Sequence, residues 1–449
     1  MRLASLFAAA VLSAGLALAS APAGAQRIPA TVVAGHPRIF VWVRTLSEVL
    51  LSTVDRALQG TGYSMDWTEA YGGTLAKVGG ELEAMEDGLA EIGIVSSLFE
   101  PSLLSLQNVT YATPFGSPDV DVVLGAVDAL HDDVPDMRRL WEQHDLEYLG
   151  AGLGIDDYFL MTKEPVHSLA DLKGRKISAP GPAVNWLQGT GAVGVSGNLT
   201  TYYNDLQTGV TEGVIVFPTA AAPAKLVEQA KYVTITHFGA QYAGAIVARK
   251  SWFDGLPAPV QAAIRTGVAE VTKVHRAEVA GRIAAAIDTM KAGGAVFSTL
   301  PEAERAAWAR ALPNLPMNWA RDLDAKGLAG TAVVKAYLVR LRAAGTVLPR
   351  DWDKGRPERG APETGPESPL VRLLGLPMSL ANVLATAWIL LLMMLIVADV
   401  VGRDAFLSPI AGVPEMVKFS IVGIVFLQVA HTHRHGRMIR SDGLLAMLA

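Results

Sequence analysis

The stretch from His167 to Tyr232 constrains the fold most strongly, because strand-like apolar runs alternate in it with short helical segments. Ser168 and Asp171 have the spacing of an imperfect capping box at the start of a helix, and Gly174 ends that helix. The elements that we predict after Gly174 are a strand at 175–178, a helix at 183–187, a strand-like run, a helix at 202–210 and a strand at 214–217. Strands separated by helices in this order predict a parallel sheet covered by helices.

Apolar periodicity predicts the same kind of arrangement upstream. The predicted strands lie at 31–34, 63–67, 92–95, 146–149 and 243–248, and the predicted helices at 46–58, 81–89 and 120–139. From Pro259 to Met290 apolar residues recur at helical spacing, which predicts long helices broken near Gly281 if at all. Further helices are predicted at 301–322 and 328–344.

Several ordered motifs in these regions resemble one known family. The motifs are AYGGTLAKVGGELEAMEDGLAEIGIV at 70–95, DLKGRKI at 171–177, YNDLQTGVTEGVIVFP at 203–218 and KLVEQAKY at 225–232. They are similar to the solute-binding proteins of tripartite ATP-independent periplasmic (TRAP) transporters, and the resemblance covers roughly Ile28 to Asp353.

The resemblance implies an α/β fold of two lobes that close on a solute by a hinge, with a long helix that spans both lobes. We expect a binding domain at 26–353, with lobe I at about 27–150 and 240–275. Lobe II is expected at about 151–239 and 300–350. We place the first crossing between the lobes at Gly150-Ala151-Gly152 and the return at about 233–239.

The resemblance also places a set of side chains at the cleft between the lobes. We predict that the ligand-binding residues are His36, Glu69 and Tyr71 from the first lobe, and Ser178, Pro180, Asn185, Trp186, Asn198, Tyr202, Phe217 and Thr219 from the second. Trp186 either helps to bind an anion or carbonyl at the start of its helix or anchors that helix in the core. Gly72-Gly73 either brings the backbone close to the solute or makes a plain turn.

Ser178 is the place where the chain departs from the family. Many members carry an arginine at this position, and it fixes a carboxylate of the solute by an ion pair. Serine cannot do so, and Arg175, three positions earlier in a strand, faces the opposite side. Either another group supplies the charge, or the solute is not a simple monocarboxylate. A cleft rich in aromatic and amide groups and poor in arginine would suit a polar but weakly charged solute.

Other classes of function find little support in the sequence. The absence of cysteine excludes disulfides, thiolate metal sites and cysteine nucleophiles, and a net charge of −5 gives no basic surface for nucleic acid. Gly194-Val195-Ser196-Gly197-Asn198 lacks the last glycine of a nucleophile elbow, and we find no H-E-x-x-H or Walker motif. We therefore predict a binding protein with no catalytic residue, no cofactor and no metal site.

Both ends of the chain carry apolar segments. Residues 1–25 have Arg2, a leucine/alanine run and Ala23-Gly24-Ala25, which predicts a signal peptide cleaved after Ala25 rather than a membrane anchor. After a Pro/Gly-rich linker at 354–369, apolar stretches at 380–401 and about 413–430 are long enough to span a bilayer.

Residues 370–449 resemble the N-terminal part of the small membrane subunit of TRAP transporters, and Asp399, Arg403 and Glu415 match polar positions of that subunit. Either these three residues pair with one another or with the large membrane subunit, or they lie without a role at the interface between the spans. The histidines and arginines at 431–440 predict a basic cap rather than a metal site.

Two spans would leave this basic cap outside, against the positive-inside tendency. Either one stretch does not span, or 371–378 forms another membrane element, or the fusion is a sequencing artefact.

The sequence thus predicts a periplasmic receptor, tethered to the inner membrane, that binds a small polar or organic-acid solute between its lobes. It passes this small molecule to the large TRAP membrane subunit for uptake driven by an ion gradient. The alternative is a membrane-tethered sensory or scaffolding receptor that binds the solute without transport.

Overall fold

Two sheets, each with buried central strands, form the framework of the computed structural model, which describes residues 25–354. The first sheet has the strand order β2-β1-β3-β10-β4. Its strands are β1 (Gln26–Ala34), β2 (Tyr63–Tyr71), β3 (Ile92–Val95), β4 (Leu146–Ile155) and β10 (Gln241–Arg249). Strands β1, β2 and β3 run parallel, and β10 is antiparallel to both β3 and β4. This sheet is the core of the first lobe.

The second sheet has the order β11-β9-β5-β8-β6-β7. Its strands are β5 (Phe159–Thr162), β6 (Lys176–Pro180), β7 (Val193–Gly197), β8 (Gly213–Val216), β9 (Tyr232–Ile235) and β11 (Val296–Thr299). The prediction of parallel strands holds for β6 with β7 and β8. The sheet as a whole is mixed, because β5 enters from the first lobe in the opposite direction and pairs antiparallel with β8 and β9.

Helices cover the faces of both sheets. The α-helices are Val41–Thr45, Leu51–Ala57, Glu81–Glu86, Val109–Ala112, Val120–Asp133, Pro135–Glu142, Tyr202–Thr208, Pro218–Ala221, Lys250–Asp254, Ala258–Ala292, Glu302–Ala311, Leu315–Asp324 and Gly330–Ala343. A short π-helix at Leu46–Leu50 joins the first two α-helices of this list. The 3₁₀ helices lie at Ser97–Phe99, Ser105–Asn108, Leu169–Leu172, Gly181–Leu187 and Leu226–Glu228. The capping box predicted at Ser168 and Asp171 is present.

The chain crosses between the lobes at two adjacent segments. The first crossover is 156–158, between β4 and β5, and the second is 236–240, between β9 and β10. The hinge predicted at Gly150-Ala151-Gly152 is therefore wrong by several residues. These residues are part of β4, which continues to Ile155 because its apolar side chains stay buried beside β10.

The helix Ala258–Ala292 is one unbroken element of 35 residues, as the periodicity allowed. At a rise of about 1.5 Å per residue it is roughly 50 Å long. It packs on β4 and on the helix Leu51–Ala57 in the first lobe, and on Pro218–Ala221 in the second. It thus provides a third connection between the lobes.

The C-terminal part of the described chain differs from the predicted lobe assignment. Residues 300–350 were assigned to lobe II, but Leu315–Asp324 and Gly330–Ala343 pack on first-lobe helices, Val109–Ala112 and Val120–Asp133. Helix amphipathicity identifies a buried face and does not identify the surface that covers it, which explains the error.

Several predicted segments lie outside the described residues. They are the signal peptide up to position 24 and the linker and membrane module from 355 onward, with Asp399, Arg403 and Glu415. Within 25–354, no helix has both the length and the apolarity needed to cross a lipid bilayer.

The two lobes touch through backbone at Gly181. Its φ is +47°, and a Cβ atom there would lie 2.3 Å from the carbonyl oxygen of Leu98 in the first lobe. Gly209 also has a positive φ, of +76°, but a Cβ atom there would meet nothing within 4 Å. Gly181 therefore permits close contact between the lobes, whereas Gly209 only ends a helix.

We expect Gly181→Ala to hold the lobes apart, and Gly209→Ala to leave them in contact. Both variants should lose about 1–2 kcal/mol of unfolding free energy from backbone strain. Small-angle X-ray scattering should give a larger radius of gyration for Gly181→Ala alone. Equal radii for the two variants and the parent chain would contradict this account.

Candidate functional site

A cavity lies between the lobes, where the carboxyl ends of parallel strands from both sheets face each other. His36 follows β1, Leu98 and Phe99 follow β3, and Phe217 follows β8. In α/β sheets this edge is the usual place for a ligand, because the loops there leave a crevice. The site therefore lies where the topology of both lobes favours binding.

Aromatic and aliphatic side chains form most of the cavity wall. The wall residues are His36, Trp42, Leu98, Phe99, Tyr111, Leu153, Ile155, Tyr158, Pro180, Asn198, Leu199, Tyr202, Ile215, Val216, Phe217 and Ala243. Among the described residues that line this cavity there is no lysine, arginine, aspartate or glutamate. The cavity volume of about 30 Å³ is room for one or two water molecules.

His36 lies in a cluster of aromatic rings from the first lobe. Its ring is edge-on to Phe40 and to Trp42, at centroid distances of 5.7 and 5.3 Å, and the rings of Phe40 and Trp42 stack at 4.9 Å. Burial lowers the pKa of the His36 imidazole to about 4. His36 is therefore neutral at physiological pH and presents one donor and one acceptor.

A buried carboxylate fixes the loop that carries His36. The two carboxylate oxygens of Glu81 accept hydrogen bonds from the backbone N–H groups of Gly35 and Gly79 and from the hydroxyl of Ser96. Burial raises the pKa of Glu81 to about 7, and these three donors oppose the shift. Glu81 thus connects the ends of β1 and β3 at the cleft edge.

Tyr202 and Asn198 supply polar groups from the second lobe. Asn198 accepts hydrogen bonds from the backbone N–H and hydroxyl of Thr200 through its carboxamide oxygen, which leaves its NH₂ group for other partners. The hydroxyl of Tyr202 is buried and has no hydrogen-bond partner, and the same is true of the indole N–H of Trp42. The adjacent Tyr203 faces away from the cavity and donates to Glu228.

Tyr111, Tyr158 and Trp186 join the lobes beneath the cavity. The hydroxyls of Tyr111 and Tyr158 lie 3.0 Å apart, and the Tyr111 ring stacks on Trp186 at 5.8 Å. The indole N–H of Trp186 donates to the Tyr111 carbonyl at 2.7 Å, and the Trp186 carbonyl accepts from Trp308 at the same distance. Trp186 is fully buried and does not line the cavity, so its place in the structure is that of an anchor.

The two crossovers are connected beside this aromatic cluster. The carboxylate of Asp157 is 2.6 Å from Nδ1 of His237 and accepts from the backbone N–H of Gly239 at 2.8 Å. This hydrogen bond raises the pKa of His237. Asp156 is fully buried and accepts from the backbone N–H and hydroxyl of Thr219, and burial raises its pKa to about 7. The Asp157 carboxylate thus connects the two crossovers, and the Asp156 carboxylate connects the first crossover to Thr219 of the second lobe.

The structure brings together about half of the residues predicted for the cleft. His36, Pro180, Asn198, Tyr202 and Phe217 line the cavity. Ser178 is buried near Gly197 and does not line the cavity, and its hydroxyl has no hydrogen-bond partner. Whether these residues bind a solute stays a prediction.

The other predicted residues lie away from the cavity. Glu69 pairs with Arg38 at 3.7 Å and accepts from Ser47, and Tyr71 is buried nearby. Asn185 accepts from Gln188, and Thr219 donates to Asp156. Three of these four residues have hydrogen-bond or ion-pair partners within the protein, and Tyr71 is buried in the first lobe. A motif match does not reveal such partners or such burial.

Trp42, Tyr111 and Tyr158 are wall residues that the sequence analysis missed. Trp42 lies eight residues after β1 and Tyr111 sixteen residues after β3, each in a short helix. Aromatic residues in the segments after β1 and β3 were the available signal, because such segments in parallel sheets converge on one edge. Tyr158 was assigned to the start of the second lobe and lies in the first crossover.

A family model decides the class of protein. Residues 68–322, more than half of the chain, match DctP, the bacterial extracellular solute-binding protein family 7. The chain belongs to this family. Since its members are solute-binding proteins, the prediction of a binding protein rather than an enzyme is confirmed, and so is the resemblance to TRAP receptors.

Individual proteins extend the comparison. Over 136 residues the chain is 32% identical to the C4-dicarboxylate-binding periplasmic protein DctP of Rhodobacter capsulatus. That stretch is 30% of this chain and spans 40% of the length of the relative.

Solved structures share the two-lobed fold. The receptor DctP7 of Bordetella pertussis, which binds pyroglutamic acid, matches with a TM-score of 0.60 at 19% identity, over 69% of this chain and 99% of that chain. A marine metagenome TRAP solute-binding protein in complex with 3-hydroxybenzoate matches with a TM-score of 0.63 at 18% identity, over 71% and 99%. At these identities the likeness establishes the fold.

We expect Trp186→Phe to lower the unfolding free energy by about 2 kcal/mol, because it removes buried volume and the hydrogen bond to Tyr111. Trp67→Phe is the matched control, since the Trp67 side chain is only partly buried and its indole donates to Asp55 in an exposed hydrogen bond. Its cost should be less than about 1 kcal/mol. Urea unfolding of both variants measures the difference, and equal losses would contradict the anchoring role of Trp186.

We expect His36 to make the folded state sensitive to acid. Its pKa falls from 6.5 to about 4 on folding, so between these values the unfolded chain binds more protons and stability falls as the pH falls. Relative to His36→Gln, the parent chain should lose about 3 kcal/mol of unfolding free energy between pH 7.5 and pH 4. Urea titrations at several pH values test this, with the exposed His167→Gln as control. Parallel pH curves for the parent and His36→Gln would disprove it.

Proposed function

We propose that the chain is the extracytoplasmic solute receptor of a TRAP-type transporter. It binds a small organic solute between its lobes and delivers it to membrane subunits that use an ion gradient for uptake. The observation that supports this most directly is the cavity at the carboxyl ends of the parallel strands of two lobes that two adjacent crossovers connect.

The relatives support a small organic solute, in most cases one with a ring. Solved structures with this fold contain bound pyroglutamate, 3-hydroxybenzoate or β-D-galacturonate, and the Rhodobacter relative is a C4-dicarboxylate-binding protein. Three of these solutes contain a ring, which suits a wall in which Trp42, Tyr158 and Phe217 are prominent.

The contacts between the lobes would support closure of the hinge on a bound solute. Trp42 of the first lobe faces Phe217 of the second at a centroid distance of 6.2 Å, and Phe217 faces Tyr158 in the crossover at 5.0 Å. A solute that binds against these rings as the lobes close removes apolar surface of both lobes from water, and the free energy gained favours the closed state. A membrane subunit that binds the closed state would then receive loaded receptors.

We expect the full-length chain, purified from its native host, to retain a small molecule that native mass spectrometry detects. Unfolding in denaturant and refolding should remove this mass, and the refolded protein should have a larger radius of gyration. Adding back the released fraction should restore the mass and the smaller radius, because the solute stabilises closure. The control for molecules that are released non-specifically is the fraction obtained by heating the Trp186→Phe variant in the same way. A protein that carries no small molecule, and that no fraction of a host extract compacts, would contradict a receptor function.

A further inference from the structure

We infer that the solute is an uncharged ring compound that carries a carbonyl or hydroxyl oxygen, and not a carboxylate. This inference rests on the receptor function proposed above and specifies the chemistry of its cleft. Three features of the cavity wall carry it, and they concern charge, shape and unused hydrogen-bond donors.

The first feature is the lack of a cation in the wall. A carboxylate loses its hydration when two lobes close on it, and proteins compensate with arginine, lysine or several convergent donors. Among the described residues that line the cavity, none is permanently charged. Arg38, on the loop next to His36, is half exposed and is paired with Glu69 outside the cavity.

His36 does not replace the missing cation. Its side chain is 5% exposed and lies against the rings of Phe40 and Trp42. This apolar surrounding favours the neutral imidazole, as the lowered pKa of His36 indicates. A carboxylate could use His36 as a cation only by bringing a proton with it into the closed cleft, which weakens its binding at neutral pH.

The second feature is the arrangement of flat rings on opposite walls. Trp42 from the first lobe and Phe217 from the second are inclined at 50° to each other across the cleft, and Tyr158 closes its floor. Rings on both sides favour a flat solute that stacks or packs edge-on, and they offer little to a flexible polar chain.

The third feature is a pair of buried donors without partners. The indole N–H of Trp42 and the hydroxyl of Tyr202 belong to side chains that line the cavity, and both lack a hydrogen-bond partner in the described structure. A buried donor left unpaired is costly, so such groups are usually matched by the ligand. With the free NH₂ group of Asn198 they form a set of neutral donors that suits one acceptor oxygen.

Matched acids and amides of one shape test this inference. We would measure binding to the full-length chain at pH 7.5 by calorimetry for benzamide and benzoate, for 3-hydroxybenzamide and 3-hydroxybenzoate, and for cyclohexanecarboxamide and cyclohexanecarboxylate. The members of each pair differ mainly in charge. We expect the amide to bind at least tenfold more tightly than the acid in the pairs that bind.

Two variants and one control assign the effect to the cavity. Tyr202→Phe removes one donor and should weaken amide binding about fivefold to tenfold. Tyr203→Phe is the matched control on the outer face of the same helix and should leave binding unchanged. Leu199→Arg adds a cation at a half-exposed wall position and should shift the preference towards the acid by at least tenfold.

The outcomes separate this inference from the receptor function. Tighter binding of the acid in the pairs that bind would overturn the inference and leave the receptor function in place. Equal effects of Tyr202→Phe and Tyr203→Phe would overturn the role of the unpaired donor. No binding of any member of the six, together with no retained small molecule in native mass spectrometry, would overturn both proposals.

Discussion

The hydrogen bond from the Trp186 indole to the Tyr111 carbonyl is the contact on which the closed arrangement of the lobes depends. It joins a 3₁₀ helix of the second lobe to a first-lobe helix, and the stacked ring of Tyr111 and the Trp308 indole surround it. Because these groups are fully buried, neither partner can exchange the bond for one to water without separating the lobes. The cavity wall above it, from Tyr158 to Phe217, is positioned by this layer.

Much of the fold follows from local sequence patterns. The strand at Ile92–Val95 has the predicted bounds, the capping box at Ser168 is formed, and the long helix after Pro257 is unbroken. Each of these depends on neighbours within one or two turns of chain, which is why a pattern could identify them. The hinge was misplaced because β4 continues through Gly150-Ala151-Gly152, and pairing with β10, about 90 residues later, is a non-local contact.

The cleft was easiest to predict where a residue directly follows a strand. Asn198 and Phe217 come immediately after β7 and β8, and both line the cavity. Thr219 is two residues further on and donates to Asp156, a partner in the crossover that no sequence spacing indicates. Ser178 shows a similar limit, because the sequence identifies the missing arginine but not that the serine is buried outside the cavity wall.

The carboxylate of Asp157 has a consequence for any partner protein. Because the Asp157 carboxylate binds both the His237 imidazole and the backbone N–H of Gly239, the two crossovers form a single hinge segment. The lobes can turn about this segment without a change in the surface of either lobe. A membrane subunit that touches a single lobe would meet the same surface in both states. A membrane subunit that recognises only the loaded receptor therefore needs an interface that contacts both lobes and depends on the angle between them.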